Sequence, residues 1–162
     1  QGINKFTPMQ LAVYASTLAN EGTRMKATFL SRVVSADYRS LISKGTPTVV
    51  DQLEISPEAV AAYKEGMQLV CSHPRGTAYK TFNKYPVQVC AKTGTAQTGP
   101  GQSDNGAFVC FAPSDNPQIA IAVYGEKAGH GSSMAAVAKA ILDAYFQVDD
   151  SAELIITENQ VI

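Results

Sequence analysis

The sequence has no tryptophan, only two histidines and three cysteines, and little charge. Each shortage excludes something. Cys71, Cys90 and Cys110 are too few, and odd in number, for a disulfide scaffold. Two histidines without a Cys-x-x-Cys pair argue against a zinc site. Charged residues make up 17% of the chain, below the roughly 25% of an average soluble domain. Hydrophobic residues make up 45%, so the low charge is not a mark of disorder. Thirteen Lys+Arg against fourteen Asp+Glu leave a net charge of −1. There is no basic excess for nucleic acid and no acidic tail-like block. No apolar run approaches the roughly 18 residues of a membrane span; the longest, Ile119 to Tyr124, fits a strand. Gln1-Gly2-Ile3-Asn4-Lys5 has neither an initiator Met nor a signal-peptide core, and reads as a start within a longer protein. At 162 residues the chain can bury a real core.

What is present is a mix of helix and strand signals. Thr7 as cap, Pro8 behind it and Gln10 completing a capping box open a helix. Leu11, Tyr14, Ala15, Leu18 and Ala19 form its stripe, and Gly22 is its expected left-handed cap. From Met25 to Leu53 the pattern is mixed, with Thr28 to Val34 extended and Lys44-Gly45-Thr46-Pro47 as a turn. Ser56-Pro57 opens a second helix with Val60, Tyr63, Met67 and Val70 buried. It ends near Ser72, because His73 precedes Pro74. A polar connection through Arg75, Gly76 and Thr77 follows.

The second half reads as sheet. Val87 to Thr95 alternates, Ala107 to Ala112 and Ile119 to Tyr124 follow, and tight connections favour an antiparallel meander. Gly129-His130-Gly131 leads into a helix carrying Met134, Val137, Ala138, Ile141, Leu142 and Tyr145, with Ser132 or Ser133 as cap. Cys90 and Cys110 fall on neighbouring strands, and the favoured reading is buried free thiols rather than a disulfide. The tail after Val148 is acidic and then β-prone.

One run carries chemistry: Lys92-Thr93-Gly94-Thr95-Ala96-Gln97, at the end of an expected strand. On an edge strand the lysine offers a fixed positive charge and can pass a proton to a neighbouring hydroxyl. Thr93 and Thr95 offer hydroxyl donors for a carboxylate or carbonyl. Gly94 lets another backbone lie close. An N–H just past it can face a developing oxyanion. Together these suit an extended peptide docked by strand addition.

This run resembles the third active-site motif of the penicillin-binding proteins and serine β-lactamases. Other stretches agree in order: Gln1-Gly2, Thr7 to Leu11, Asn20-Glu21-Gly22, Gly66-Met67, Gly76-Thr77-Ala78, Ala91 to Gln97, Phe111-Ala112-Pro113 and Asn116-Pro117. The set is similar to class B penicillin-binding proteins, the D,D-transpeptidases that cross-link peptidoglycan. The resemblance covers residues 1–147 as the C-terminal part of a transpeptidase domain, leaving 148–162 as a tail. It implies an α/β (α+β) fold, an antiparallel sheet flanked by helices, with the C-terminal helix on one side and the N-terminal helix on or near the other. It implies Lys92 and Thr95 as catalytic and Thr93, Gly94, Thr95 and Gln97 as substrate-binding, without metal or cofactor. The implied partners are peptidoglycan stem peptides, β-lactams and the missing N-terminal half of the domain, with no nucleic acid. The parent would be anchored in the cell membrane, with this domain outside the cytoplasm.

The departure from the family is equally plain. No Ser here has a Lys three residues later, so the nucleophile motif Ser-x-x-Lys is absent. The family's second motif, Ser-x-Asn, precedes Lys-Thr-Gly. The two Ser-Asp-Asn copies, at Ser103 and Ser114, both follow Lys92 and read as turns. The chain alone is therefore expected to be inactive. The rival readings are a β-lactam sensor domain, a serine β-lactamase-like protein, or a non-catalytic binding fragment. A further expectation is self-association through an unpaired edge of Ile119 to Tyr124.

Overall fold

The computed structural model describes residues 4–148. The tail from residue 149 on lies outside them. Helix α1 (Pro8–Ala19) starts on the expected capping box: the Thr7 hydroxyl accepts from the Gln10 N–H, and Gln10 Oε1 accepts from the Thr7 N–H. Four short strands follow: β1 (Thr23–Met25), β2 (Arg32–Val34), β3 (Leu41–Lys44) and β4 (Val49–Gln52). They make two separate antiparallel pairs, β1 with β4 and β2 with β3. Helix α2 (Pro57–Ser72) is capped by Ser56 and stops where His73 turns extended before Pro74. A short helix, α3 (Tyr79–Phe82), precedes the main sheet of β5 (Cys90–Ala96), β6 (Asn105–Ala112) and β7 (Ile119–Gly125). That sheet is the expected antiparallel meander, in the order β5-β6-β7. A 3-10 turn (Gly131–Met134) leads into α4 (Ala135–Phe146).

Strand alternation divides the sheet into two faces. Ala91, Phe108, Cys110, Ala112 and Ile121 pack against Ala135, Ala138 and Leu142 of α4. Phe108 also stacks on Phe82 of α3, with ring centroids 6.1 Å apart. On the opposite face Cys90 and Phe111 pack against Ala19 of α1 and Met67 of α2. The Tyr63 hydroxyl donates to the Leu18 carbonyl at 2.7 Å and ties the two helices together. The C-terminal and N-terminal helices thus take opposite sides of the sheet, as the sequence implied.

The register settles the cysteines. Cys90 pairs with Phe111 and Ala91 with Cys110, so the two thiols point to opposite faces. All three cysteines are free and buried. Burial pushes Cys90 up from 9.0 to about 11, and Cys71 and Cys110 to about 12. The unfolded chain therefore loses thiol protons above pH ~9 that the folded chain keeps. In that window the unfolded state binds fewer protons, so stability is constant below it and falls as pH rises through it. Denaturant midpoints measured from pH 8 to 11 should show this fall. A thiol reagent should count three sulfhydryls after unfolding and almost none before; a shortfall of two in an oxidised sample would reveal a disulfide.

Several expectations need correction. In α1, Tyr14 is 58% exposed, and the buried positions are the small Ala15, Thr17 and Ala19. The helix packs on β1 and β7, and Leu18 meets the core beside Ala19. Two positive-φ residues follow α1: Glu21 at φ 52°, whose carboxylate pairs with Lys64 at 2.6 Å, and the expected Gly22 at φ 106°. Gly22 is also required for space, because a Cβ there would lie 2.4 Å from the Leu53 carbonyl oxygen. In α4, Val137, Ile141 and Tyr145 stay exposed while Ala135, Ala138 and Leu142 are buried. The helix has two adjoining apolar stripes, and this sheet covers one. Neither Ser132 nor Ser133 caps α4, which follows directly on the 3-10 turn. Residues 79–82 form a short helix, and β5 begins at Cys90 instead of Val87. Only Arg32–Val34 of the stretch from Thr28 to Val34 is strand.

Candidate active site

The Lys92-Thr93-Gly94-Thr95 run lies on β5, which forms one edge of the main sheet. An edge strand presents its outward N–H and C=O groups unpaired, ready for an added strand. Opposite it on β6 are Val109, Phe108, Ala107 and Gly106. Alternation puts Lys92 and Gly94 on the face of Cys90, and Thr93 and Thr95 on the face of Ala91. A chain laid along this edge is flanked by an ammonium on one side and two hydroxyls on the other.

Each group is held differently. Lys92 is exposed, and its Nζ donates to the Thr93 carbonyl at 2.5 Å. Among the described residues it has no carboxylate partner within ion-pair distance. Thr93 is half-buried, with its Oγ1 2.9 Å from Thr77 Oγ1. Thr95 Oγ1 accepts from the Gly131 N–H at 3.1 Å. At Gly94 a Cβ would meet only the Ala107 Cβ at 3.5 Å and its carbonyl oxygen at 3.9 Å. Those are ordinary contacts, so nothing within the described fold demands glycine here. Gln97 is exposed just beyond the strand, at the start of a loop closed by a bond from Thr98 Oγ1 to the Ser103 carbonyl at 3.0 Å.

The two Ser-Asp-Asn copies are structural. Ser114 is buried, and its hydroxyl donates to Gln88 Oε1 at 2.9 Å, tying the segment before β5 to the β6–β7 turn. Asn105 Oδ1 accepts from the Lys127 N–H at 2.8 Å. His130 is exposed on its turn, and the Nδ1 of exposed His73 accepts from the Arg75 N–H at 3.1 Å. No group of three or more His, Cys, Asp or Glu among the described residues is placed to hold a metal. A cavity of about 220 Å³ lies among Cys71, Phe82, Tyr85 and Val89, and Lys92 does not line it.

The sequence places Thr77 only on a polar connection and Gly131 only in a turn. The structure brings both onto the motif strand. No local signal reports such contacts, since Thr77 and Thr93 are separated by 16 positions and Gly131 and Thr95 by 36.

A lysine, two hydroxyls and a glycine thus lie together along one edge strand of the main sheet. The family profile "Penicillin binding protein transpeptidase domain" matches residues 1–143. The chain belongs to the penicillin-binding-protein transpeptidase family, in its class B branch. It is 29% identical to penicillin-binding protein 2A of Bacillus subtilis, over 88% of this chain and 22% of that protein. It is 29% identical to the peptidoglycan D,D-transpeptidase MrdA of Escherichia coli, over 95% of this chain and 26% of that protein. Among solved structures, Pseudomonas aeruginosa penicillin-binding protein 2 superposes with a TM-score of 0.75 at 34% identity, over 93% of this chain and 31% of that chain. Penicillin-binding protein A of Mycobacterium tuberculosis, solved as an imipenem acyl-enzyme complex, superposes with a TM-score of 0.75 at 26% identity, over 91% and 32%. The chain spans about a fifth to a quarter of the length of the curated relatives it matches. No helix among the described residues is long and apolar enough to cross a membrane.

Proposed function

We propose that residues 1–147 are the Lys-Thr-Gly-bearing part of a class B peptidoglycan D,D-transpeptidase domain, with 148–162 a tail, in a membrane-anchored parent acting outside the cytoplasm. The observation that carries this reading is the exposed Lys92 and the two anchored threonines on the free edge of β5.

In the complete domain a serine from outside this chain attacks the penultimate D-Ala carbonyl of a stem peptide. Lys92 balances charge and relays the proton through the Ser-x-Asn serine. The Thr95 N–H supplies half of the oxyanion hole, and Thr93 and Thr95 hold the terminal carboxylate. Gly94 gives the substrate backbone room, and Gln97 lies at the end of the docking edge. The C–N bond to the terminal D-Ala breaks, and that residue leaves with the relayed proton. An amine of a second stem peptide then attacks the acyl-serine, forming the new amide and restoring the hydroxyl. A β-lactam acylates the same serine by ring opening.

Ser-x-x-Lys is absent from the chain, so the isolated chain should be catalytically dead. Incubated with a fluorescent penicillin and run on a denaturing gel, it should show no covalent band. The longer protein should label at a serine outside this stretch. A band on the isolated chain overturns the reading. Among the described residues the outer edge of β7 has no strand partner, and it would receive a strand from the rest of the domain, or a second copy in its absence.

A further inference from the structure

Thr93 and Thr95 are each met by a polar group from outside the strand. The Gly131 amide donates to Thr95 Oγ1 at 3.1 Å, and Thr77 Oγ1 lies 2.9 Å from Thr93 Oγ1. A hydroxyl has one proton to give and lone pairs to receive with. Thr95 already accepts from an amide, so its own proton is free to point away from the sheet.

Thr77 stands on a rigid base. A Cβ at Gly76 would lie 2.4 Å from the carbonyl oxygens of both Leu69 and Val70, so this segment is pressed against the end of α2. The Ala78 N–H donates to the Val70 carbonyl at 3.0 Å, and the Ala78 side chain is buried. Thr77 is exposed between these two fixed neighbours and reaches the motif strand only through Thr93.

We propose that Thr77 is a positioning residue for the substrate carboxylate. Its hydroxyl donates to Thr93 Oγ1 and so turns the Thr93 proton outward, parallel in role to the Gly131–Thr95 pair. The direction follows from the ligand: an ionised carboxylate only accepts, so Thr93 must donate to it and receive from Thr77. A hydroxyl that receives one hydrogen bond donates a stronger one, most of all to a charged acceptor. The inference rests on the reading that Thr93 faces the carboxylate.

The test uses the full-length protein and the second-order rate constant of acylation by benzylpenicillin and by its methyl ester. Thr77→Val should slow acylation by the free acid about tenfold, and Thr77→Ser should restore it. The methyl ester, whose acceptor is neutral, should lose less. Thr77→Val combined with Thr93→Val should be no slower than Thr93→Val alone, since both act through one hydroxyl. The acid-to-ester ratio is independent of the fraction folded, so it decides the matter even if a variant is less stable. A wild-type ratio in Thr77→Val, or additive losses in the double variant, overturns the role of Thr77. Should Thr93→Val also acylate normally, the carboxylate reading itself fails.

Discussion

Replacing Gly131 by alanine should unfold the protein or lower its melting temperature by about 10 °C. An ideal Cβ at this position would lie 2.1 Å from the Gly94 carbonyl oxygen, 2.7 Å from the Ala107 carbonyl oxygen and 2.7 Å from the Gly94 nitrogen. All three are backbone atoms within the β5–β6 ladder, so no side chain can rotate away. Relief requires the turn before α4 to lift off the sheet. That movement would also break the Gly131 amide bond to Thr95 and open the packing of buried Ala135. Overpacking alone costs about 1–3 kcal/mol, and a clash with fixed backbone belongs at or above the upper end. The neighbouring Gly129 is the control. It sits at φ 75° with nothing within 4 Å of a built Cβ. Gly129→Ala therefore carries only the cost of a left-handed conformation, about 1 kcal/mol. Thermal melts of the two variants separate the effects. A Gly131→Ala protein that melts within 2 °C or so of the parent would show that the turn is not seated on the strand.

This contrast between two glycines in one tripeptide shows what the sequence could and could not tell. Gly129-His130-Gly131 reads as a turn in either case. Only the fold reveals that one glycine has room for a side chain and the other is pressed onto the Lys-Thr-Gly strand. Signals that act over a few residues were legible. Thr7 and Gln10 announce a capping box, Ser56 and Pro57 a helix start, and His73-Pro74 a helix end, and each appears as read. The meander was legible because short connections leave hairpins as the natural pairing. The four strands between Thr23 and Gln52 were mostly hidden, since each has only three or four residues. No residue from 26 to 54 is fully buried, so no contrast between buried and exposed positions marks their period. The apolar stripe of α4 was misassigned in part for a related reason, while that of α1 fails only at Tyr14. Periodicity finds an apolar face but cannot choose between two that adjoin. Of the site, the lysine, threonines and glycine were legible as a motif, and their anchors Thr77 and Gly131 were not. The anchors come from distant segments whose own local sequence has no need of them.

Lys92→Ala should reduce acylation of the full-length protein by a β-lactam by about 10²–10⁴-fold, with little effect on its melting temperature. The two halves of that expectation have different physical origins. The side chain is exposed, and its Nζ donates only to the Thr93 carbonyl. It has no carboxylate partner among the described residues. Removing it leaves no buried charge and opens no cavity, so a surface-level change in stability is expected. Its position makes the opposite case for catalysis. It projects from the free edge of β5 on the face of Gly94, where a docked chain and a reacting carbonyl would lie. A lone cation there gains little from the fold and much from an anion that develops only in the transition state. Lys92→Arg distinguishes charge from proton transfer. Arginine keeps the positive charge but does not deprotonate in this pH range. Recovery by arginine would assign Lys92 a purely electrostatic role. Failure of arginine, with the melting temperature unchanged, would assign it the proton relay. Acylation at the wild-type rate in Lys92→Ala would remove this strand from the active site altogether, whatever the rest of the motif suggests.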